Sequence, residues 1–184
     1  MKIIEPGNMK IIENVLPPEQ ADWLETVLTS PDIQWSYIPD SSGTILEPGK
    51  GFPSFSHPVF NLNDRCEVQS RDLFGKFEPL LETWSVKAGK RANDLNRIRM
   101  GMHVPADYRG PHGPHTDQPA PHDVILYYVN DSDGDTYFFD DEGEVIDRIT
   151  PKKNKMVLFD GFTLHASSYP TKGQRITINL NYRK

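Results

Sequence analysis

The hydrophobic positions of this chain follow two different periods, and the change falls near Gly89. Before it the spacing is mostly helical. Residues 11–15 read as a first strand. Pro17-Pro18 then opens a helix, because proline suits a first turn whose N–H groups lack partners anyway. Ala21, Leu24, Val27 and Leu28 form its apolar stripe, and Pro31 follows its end. Residues 33–38 are strand-like and carry Trp35 and Tyr37. A second helix is predicted over 72–86, where Leu73, Phe74, Phe77, Leu80, Leu81 and Trp84 recur at helical spacing. Pro79 inside it predicts a kink or a break. After Gly89 the period becomes two. Ile98, Met100 and Met102 alternate with Arg97, Arg99, Gly101 and His103. Further strands are predicted at 124–129, 136–139, 144–149, 155–159, 165–168 and 175–182. Turn signals such as Asp133-Gly134, Glu142-Gly143, Asp160-Gly161 and Lys172-Gly173 separate them.

Two helices followed by many short strands predict one mainly β (α+β) domain over 1–184, a sandwich or jelly roll. Residues 1–95 supply N-terminal helical support and a loop region, and 96–184 the β core. Between 40 and 64 the composition shifts to Gly, Pro, Ser and aromatics, which reads as a long ordered loop. Folded over the mouth of the domain, it would be a lid with Phe52, Phe55 and His57 as substrate contacts. Met1-Lys2-Ile3-Ile4-Glu5 recurs as Met9-Lys10-Ile11-Ile12-Glu13, which is too short for a structural repeat and reads as a duplicated start.

Charge and composition narrow the function. Twenty basic against 26 acidic residues give a formal charge of −6. A negative domain without a basic stripe is a poor partner for nucleic acid. The single cysteine, Cys66, excludes an internal disulfide. With no secretory leader and no apolar run near the ~20 residues of a membrane span, the expectation is a cytoplasmic protein with no membrane segment.

The candidate chemistry centres on His115-Thr116-Asp117. At strand spacing His115 and Asp117 share a face and can grip one ion. His165 lies 48 residues on (165 − 117) and can supply a third donor. Two histidines and one carboxylate with open positions suit non-heme Fe(II). Zinc takes the same donors, and the plainer alternative is a turn and a core histidine. Arg175 follows ten residues later (175 − 165) and begins a strand with Arg175, Thr177 and Asn179 on one face and Ile176, Ile178 and Leu180 on the other. A guanidinium there matches a carboxylate in two hydrogen bonds and has no obvious use in a plain zinc hydrolase. Asp131, Asp133, Asp135 and Glu142 have calcium-loop spacing, but Thr136 stands where such a loop needs glycine.

These pieces, with Leu126-Tyr127-Tyr128-Val129-Asn130, Gly134-Asp135-Thr136 and Met156-Val157-Leu158-Phe159, resemble the 2-oxoglutarate- and Fe(II)-dependent oxygenases, in their prolyl 4-hydroxylase-like branch. The resemblance covers about residues 96–182. It implies a double-stranded β-helix (jelly roll) with iron on His115, Asp117 and His165. It also implies 2-oxoglutarate as cosubstrate, anchored by Arg175 with Thr177 and Tyr128. O2 and ascorbate complete the family's chemistry. The implied reaction is a dioxygenase hydroxylation of a C–H bond, peptidyl proline among the substrates, releasing succinate and CO2. The substrate partner is a protein or a small molecule. A non-catalytic β-helix binding domain is the alternative. The nucleic-acid demethylating branch carries a second arginine six residues after the anchor, where this chain has Asn181. The tyrosine that usually stands on the strand before His-x-Asp is missing from Met102-His103-Val104-Pro105.

Overall fold

The change of period at Gly89 is a physical boundary. Gly89 adopts φ +71°, the left-handed cap that a Cβ disfavours, and the Lys90 N–H turns back onto the Ser85 carbonyl at 2.8 Å. The computed structural model describes residues 3–4, 9–41, 51–62, 67–68 and 70–184. In chain order these form β1 (Ile3–Ile4), β2 (Met9–Glu13), α1 (Pro18–Leu28), β3 (Ser36–Ile38), β4 (Ser54–Asn61), β5 (Glu67–Val68) and α2 (Arg71–Ala88). A 3-10 turn at Ala92–Asp94 leads into β6 (Leu95–His103), β7 (His122–Tyr128), β8 (Thr136–Phe139), β9 (Val145–Ile149), β10 (Lys155–Asp160), β11 (His165–Ser167) and β12 (Arg175–Arg183).

All pairings are antiparallel. The large sheet runs β1-β2-β10-β7-β12-β6-β4-β3, with β5 beside β4, and the small sheet runs β11-β8-β9. This is the expected double-stranded β-helix. One core lies between the large sheet and the helices, where Leu24, Phe77 and Trp84 meet Tyr127, Ile178 and Leu180. A second lies between the sheets, where Val124, Leu126 and Tyr128 meet Phe138, Val157 and Phe159. β7 feeds both cores by strict alternation and is buried along its whole length. No helix among the described residues is long and apolar enough to cross a membrane.

Two expectations are corrected. Of the kink or break expected at Pro79, the break does not occur: α2 is continuous from Arg71 to Ala88. The proline sits on the exposed face, as does Gly75 four residues earlier, so the carbonyl left without its donor reaches water. The stretch read as a loop contains the eight-residue strand β4, joined to β6 with a register shift between Pro58 and Phe60. Residues 42–50 and 63–64 of that stretch lie outside the described residues, as do most of the first repeat and Cys66.

Asn154 ties the N-terminal segment to the sheet. It sits at φ 64° between Pro151 and β10. Its amide donates to the Leu16 carbonyl and accepts from the Leu16 N–H, both at 2.8 Å, and Tyr127 donates to the same oxygen at 3.2 Å. Three buried hydrogen bonds at about 1 kcal/mol each and the left-handed backbone, disfavoured by roughly 1–2 kcal/mol for other residues, set the expectation for Asn154→Ala. It should lose about 3–5 kcal/mol in urea unfolding. Asn154→Gly, which tolerates the φ, should lose about 1 kcal/mol less.

Candidate active site

β12 is two-sided. Ile176, Ile178, Leu180 and Tyr182 enter the helix-facing core. Arg175, Thr177, Asn179 and Asn181 face the other way, with Arg175, Thr177 and Asn181 buried. Directly opposite on β6 stand His103, Gly101, Arg99 and Arg97, in that order. All of this polar double row but Asn181 floors a cavity of about 100 Å³, also lined by His115, Asp117 and His165.

The three predicted metal donors come together. One donor atom from each of His115, Asp117 and His165 lies within 4.8 Å of the other two. The backbone sets the spacing: each of His115 and His165 donates its N–H to the other's carbonyl at 3.1 Å. Thr116 is exposed, so its neighbours turn inward together. Nδ1 of His115 faces the Gly113 carbonyl at 3.2 Å, and Nδ1 of His165 faces the Thr163 carbonyl at 3.0 Å. Only a protonated Nδ1 makes those bonds, which leaves each Nε2 lone pair for an ion. The donor set and its orientation therefore fit a divalent metal with open positions.

Asp117 is held from outside the triad. Its Oδ2 accepts from the side-chain amides of Asn179 and Asn181, each at 2.9 Å, and its Oδ1 lies 3.2 Å from Arg97 Nη2. Burial raises its pKa, but His165, Arg97 and the two amides outweigh burial and hold it well below the usual carboxylate range. A relay extends behind it: Gln118 donates to Asn181 at 3.1 Å and accepts from Asn96 at 2.7 Å. Sequence reasoning missed Arg97, Asn181 and Gln118. The inward alternation of β6 and β12 is a signal for Arg97 and Asn181; Gln118, in the segment before β7, has none.

Arg175 lies at the other end of the row, 3 % exposed. Its Nε donates to the Gly134 carbonyl and its Nη2 to Thr136 Oγ1, both at 2.8 Å, and Nη1 makes no hydrogen bond among the described residues. A Cβ on Gly134 would lie 2.7 Å from the Ser168 carbonyl oxygen and 3.1 Å from the Arg175 side chain, so only glycine permits this packing. Tyr128 also donates to Thr136 Oγ1, at 2.8 Å. That hydroxyl accepts twice, so its own proton is left to donate. Thr177 and Thr136 line the cavity, whereas Tyr128 lies behind Thr136 and does not. His103, cross-strand partner of Arg175, lines the cavity where the missing tyrosine was expected. Of the proposed lid contacts, Phe55 lines the cavity, Phe52 stacks on His112 at 4.8 Å, and His57 turns away to the Gln34 carbonyl. The acidic stretch does not gather into a calcium loop: Asp131 engages Lys153, Asp133 engages Thr171 and Asp135 engages Arg148.

Residues 103–183 match the family model described as the 2OG-Fe(II) oxygenase superfamily. No curated protein matches the sequence. Among solved structures, a Trichoplax adhaerens prolyl hydroxylase in complex with a hypoxia inducible factor peptide is similar with a TM-score of 0.59 and 16% identity, over 95% of this chain and 83% of that one. HygX from Streptomyces hygroscopicus, with nickel and 2-oxoglutarate bound, gives 0.61 and 12%, over 95% and 82%. A Pseudomonas putida prolyl-4-hydroxylase gives 0.56 and 12%, over 96% and 92%. At these identities the likeness is one of fold.

At the cavity wall, His103 Nε2 and His112 Nδ1 both contact Ser167 Oγ at 3.2 Å. Burial, then the Arg175 charge, pushes His112 down to about 3 and His103 well below its ordinary value. In the unfolded chain both protonate near pH 6.5. Their neutral burial therefore gives full stability above that pH, and stability is lost as pH falls from 6.5 toward the folded values. The slope should be about 1.4 kcal/mol per pH unit for each histidine. Urea midpoints at pH 7 and pH 5 should show this loss, and His112→Phe, which keeps a ring but cannot charge, should lower the slope by about one proton.

Proposed function

We propose that this chain, whose residues 103–183 match the 2OG-Fe(II) oxygenase superfamily model, is such an oxygenase and hydroxylates a C–H bond of its substrate with Fe(II), O2 and 2-oxoglutarate, releasing succinate and CO2. One observation carries the reading: the three donors of His115, Asp117 and His165 share a cavity with a buried arginine that keeps a free guanidinium edge.

His115 and His165 hold the iron through Nε2, and Asp117 holds it through a carboxylate that Asn179, Asn181 and Arg97 keep ionised and oriented. The iron, when bound, supplies the oxidising chemistry and leaves positions open for cosubstrate and oxygen. Arg175 takes the far carboxylate of 2-oxoglutarate on its free Nη1 edge. Thr136 donates its leftover proton to the same group, and Thr177 adds a hydroxyl from the next inward position of β12. Tyr128 acts at one remove, fixing Thr136. Leu126 and Ala166 line the same space and limit the water that reaches it. The fold-level likeness to prolyl hydroxylases makes peptidyl proline the first substrate to test.

Arg175 has no lone pair for a metal, so the two halves of the site separate experimentally. Truncating one partner of a buried charge pair typically costs about 2–5 kcal/mol. Arg175→Met should therefore weaken 2-oxoglutarate by roughly two to three decades at ~1.4 kcal/mol per decade. Fe(II) affinity should stay nearly unchanged, and Arg175→Lys should lose less. Anaerobic calorimetry measures both affinities. Unchanged 2-oxoglutarate binding in Arg175→Met would point back to a zinc site.

A separate expectation concerns the metal. Fe(II) should saturate near one ion per chain, with a weak visible band on adding 2-oxoglutarate. His115→Ala and Asp117→Ala should lose that band. Its survival at full strength would disprove the ligand assignment.

A further inference from the structure

The cavity holds more positive charge than the metal and its cosubstrate use. Arg97, Arg99 and Arg175 all line it, and Asp117 is the one carboxylate among its described lining residues. A divalent iron and a 2-oxoglutarate dianion cancel each other, so three guanidiniums against one carboxylate leave a surplus of two positive charges. Arg175 and Arg97 are committed: the first to the cosubstrate end, the second to Asp117, which it meets through both its carboxylate and, at 3.4 Å, its carbonyl oxygen. Arg99 is not. Among the described residues its side chain has one hydrogen bond, from Nε to the neutral hydroxyl of Ser56 at 2.6 Å, and no ion pair. Burial, then the neighbouring Arg97, lowers its pKa, and the pull of Asp117, already shared with Arg97, offsets this only in part.

Its place is equally specific. Arg99 pairs across the sheet with Asn179, one of the two residues whose amides donate to Asp117, so it stands at the metal end of the floor. From Arg175 to Asn179 is four strand positions, about 13 Å at ~3.3 Å each. Between them Thr177 faces Gly101, where a Cβ would come within 3.4 Å of the Thr177 hydroxyl oxygen. The floor is thus low in the middle and cationic at both ends. Ser56 fixes Arg99 by Nε alone, which leaves the two terminal nitrogens as a fork. In a protein of net charge −6 such a surplus is not a general property of the surface.

We propose that Arg99 is the substrate anchor, and that the substrate presents an oxyanion, a carboxylate or a phosphate, to its fork beside the metal. This rests on the oxygenase reading above and adds the substrate class to it. A bidentate oxyanion would neutralise the stranded charge and hold the reacting carbon next to the metal.

The test uses the full chain loaded with Zn(II) and saturating 2-oxoglutarate, so that Arg175 is occupied and no turnover occurs. Propionate and methyl phosphate, each carrying a methyl visible by NMR, are titrated in saturation-transfer experiments. At least one should bind saturably to the wild-type protein, and whichever binds more tightly identifies the oxyanion. In Arg99→Gln that binding should weaken at least tenfold, while 2-oxoglutarate affinity, measured by calorimetry, stays within twofold of wild type. Arg99→Lys should fall between, and thermal melts confirm that both variants are folded. Absence of saturable oxyanion binding in the wild type, or equal binding in folded Arg99→Gln, overturns the proposal. So does a tenfold loss of 2-oxoglutarate affinity in Arg99→Gln, which would make Arg99 a cosubstrate residue. A wild-type protein that binds no 2-oxoglutarate would instead defeat the oxygenase reading, so the two failures are told apart.

Discussion

Burying ions inside a β-sandwich is the constraint on which this architecture turns. A carboxylate or guanidinium out of water is costly unless every lone pair and N–H finds a partner. Asp117 has two amides and a guanidinium around it, and Arg175 has a carbonyl and a hydroxyl. Those partners come from β6, β8, β12 and the 134 turn, so the ions can be accommodated only when both sheets are in register. The same network that makes the interior tolerable also fixes the direction in which each functional group points.

β12 is where stability and chemistry are coupled. Its outward residues carry the core against α1 and α2, and its inward residues carry the site. A slip of one residue would exchange the two sets. That swap would place Arg175 and Asn181 among Trp84 and Leu24, and it would bring Ile176 and Ile178 to the metal donors. Packing against the helices therefore specifies the register of the site as strongly as any contact within it.

Much of this was legible beforehand, for identifiable reasons. The alternation of Ile176, Ile178 and Leu180 with Arg175, Thr177 and Asn179 reads directly as a two-sided strand. The likeness of the His115, Asp117 and His165 set to a known family led to the fold that is found. β4 escaped notice because two of its buried positions, Ser54 and Ser56, are polar: Ser54 lines the cavity and Ser56 holds Arg99, so the usual apolar signal is missing. Pro58 added a false breaker signal and in fact sits at a register shift. The duties of Arg97, Asn181 and Gln118 were hidden for another reason. Each depends on a partner 20 or more residues away, and no local pattern encodes which strand lies opposite.

The reciprocal backbone pairing of His115 with His165 also has a meaning for biosynthesis. The two residues are 50 positions apart (165 − 115) and belong to segments that meet only in the finished β-helix. A growing chain that has emerged as far as β10 presents His115 and Asp117 alone, without the third donor and without the amides that steady the carboxylate. Two unsupported donors form a weak, mobile site. Tight metal capture at the proposed site would therefore wait until β11 and β12 have joined the sheets. On the proposed assignment, redox-active iron would thereby be kept away from the nascent polypeptide until the cavity walls that shield the chain from its chemistry already stand.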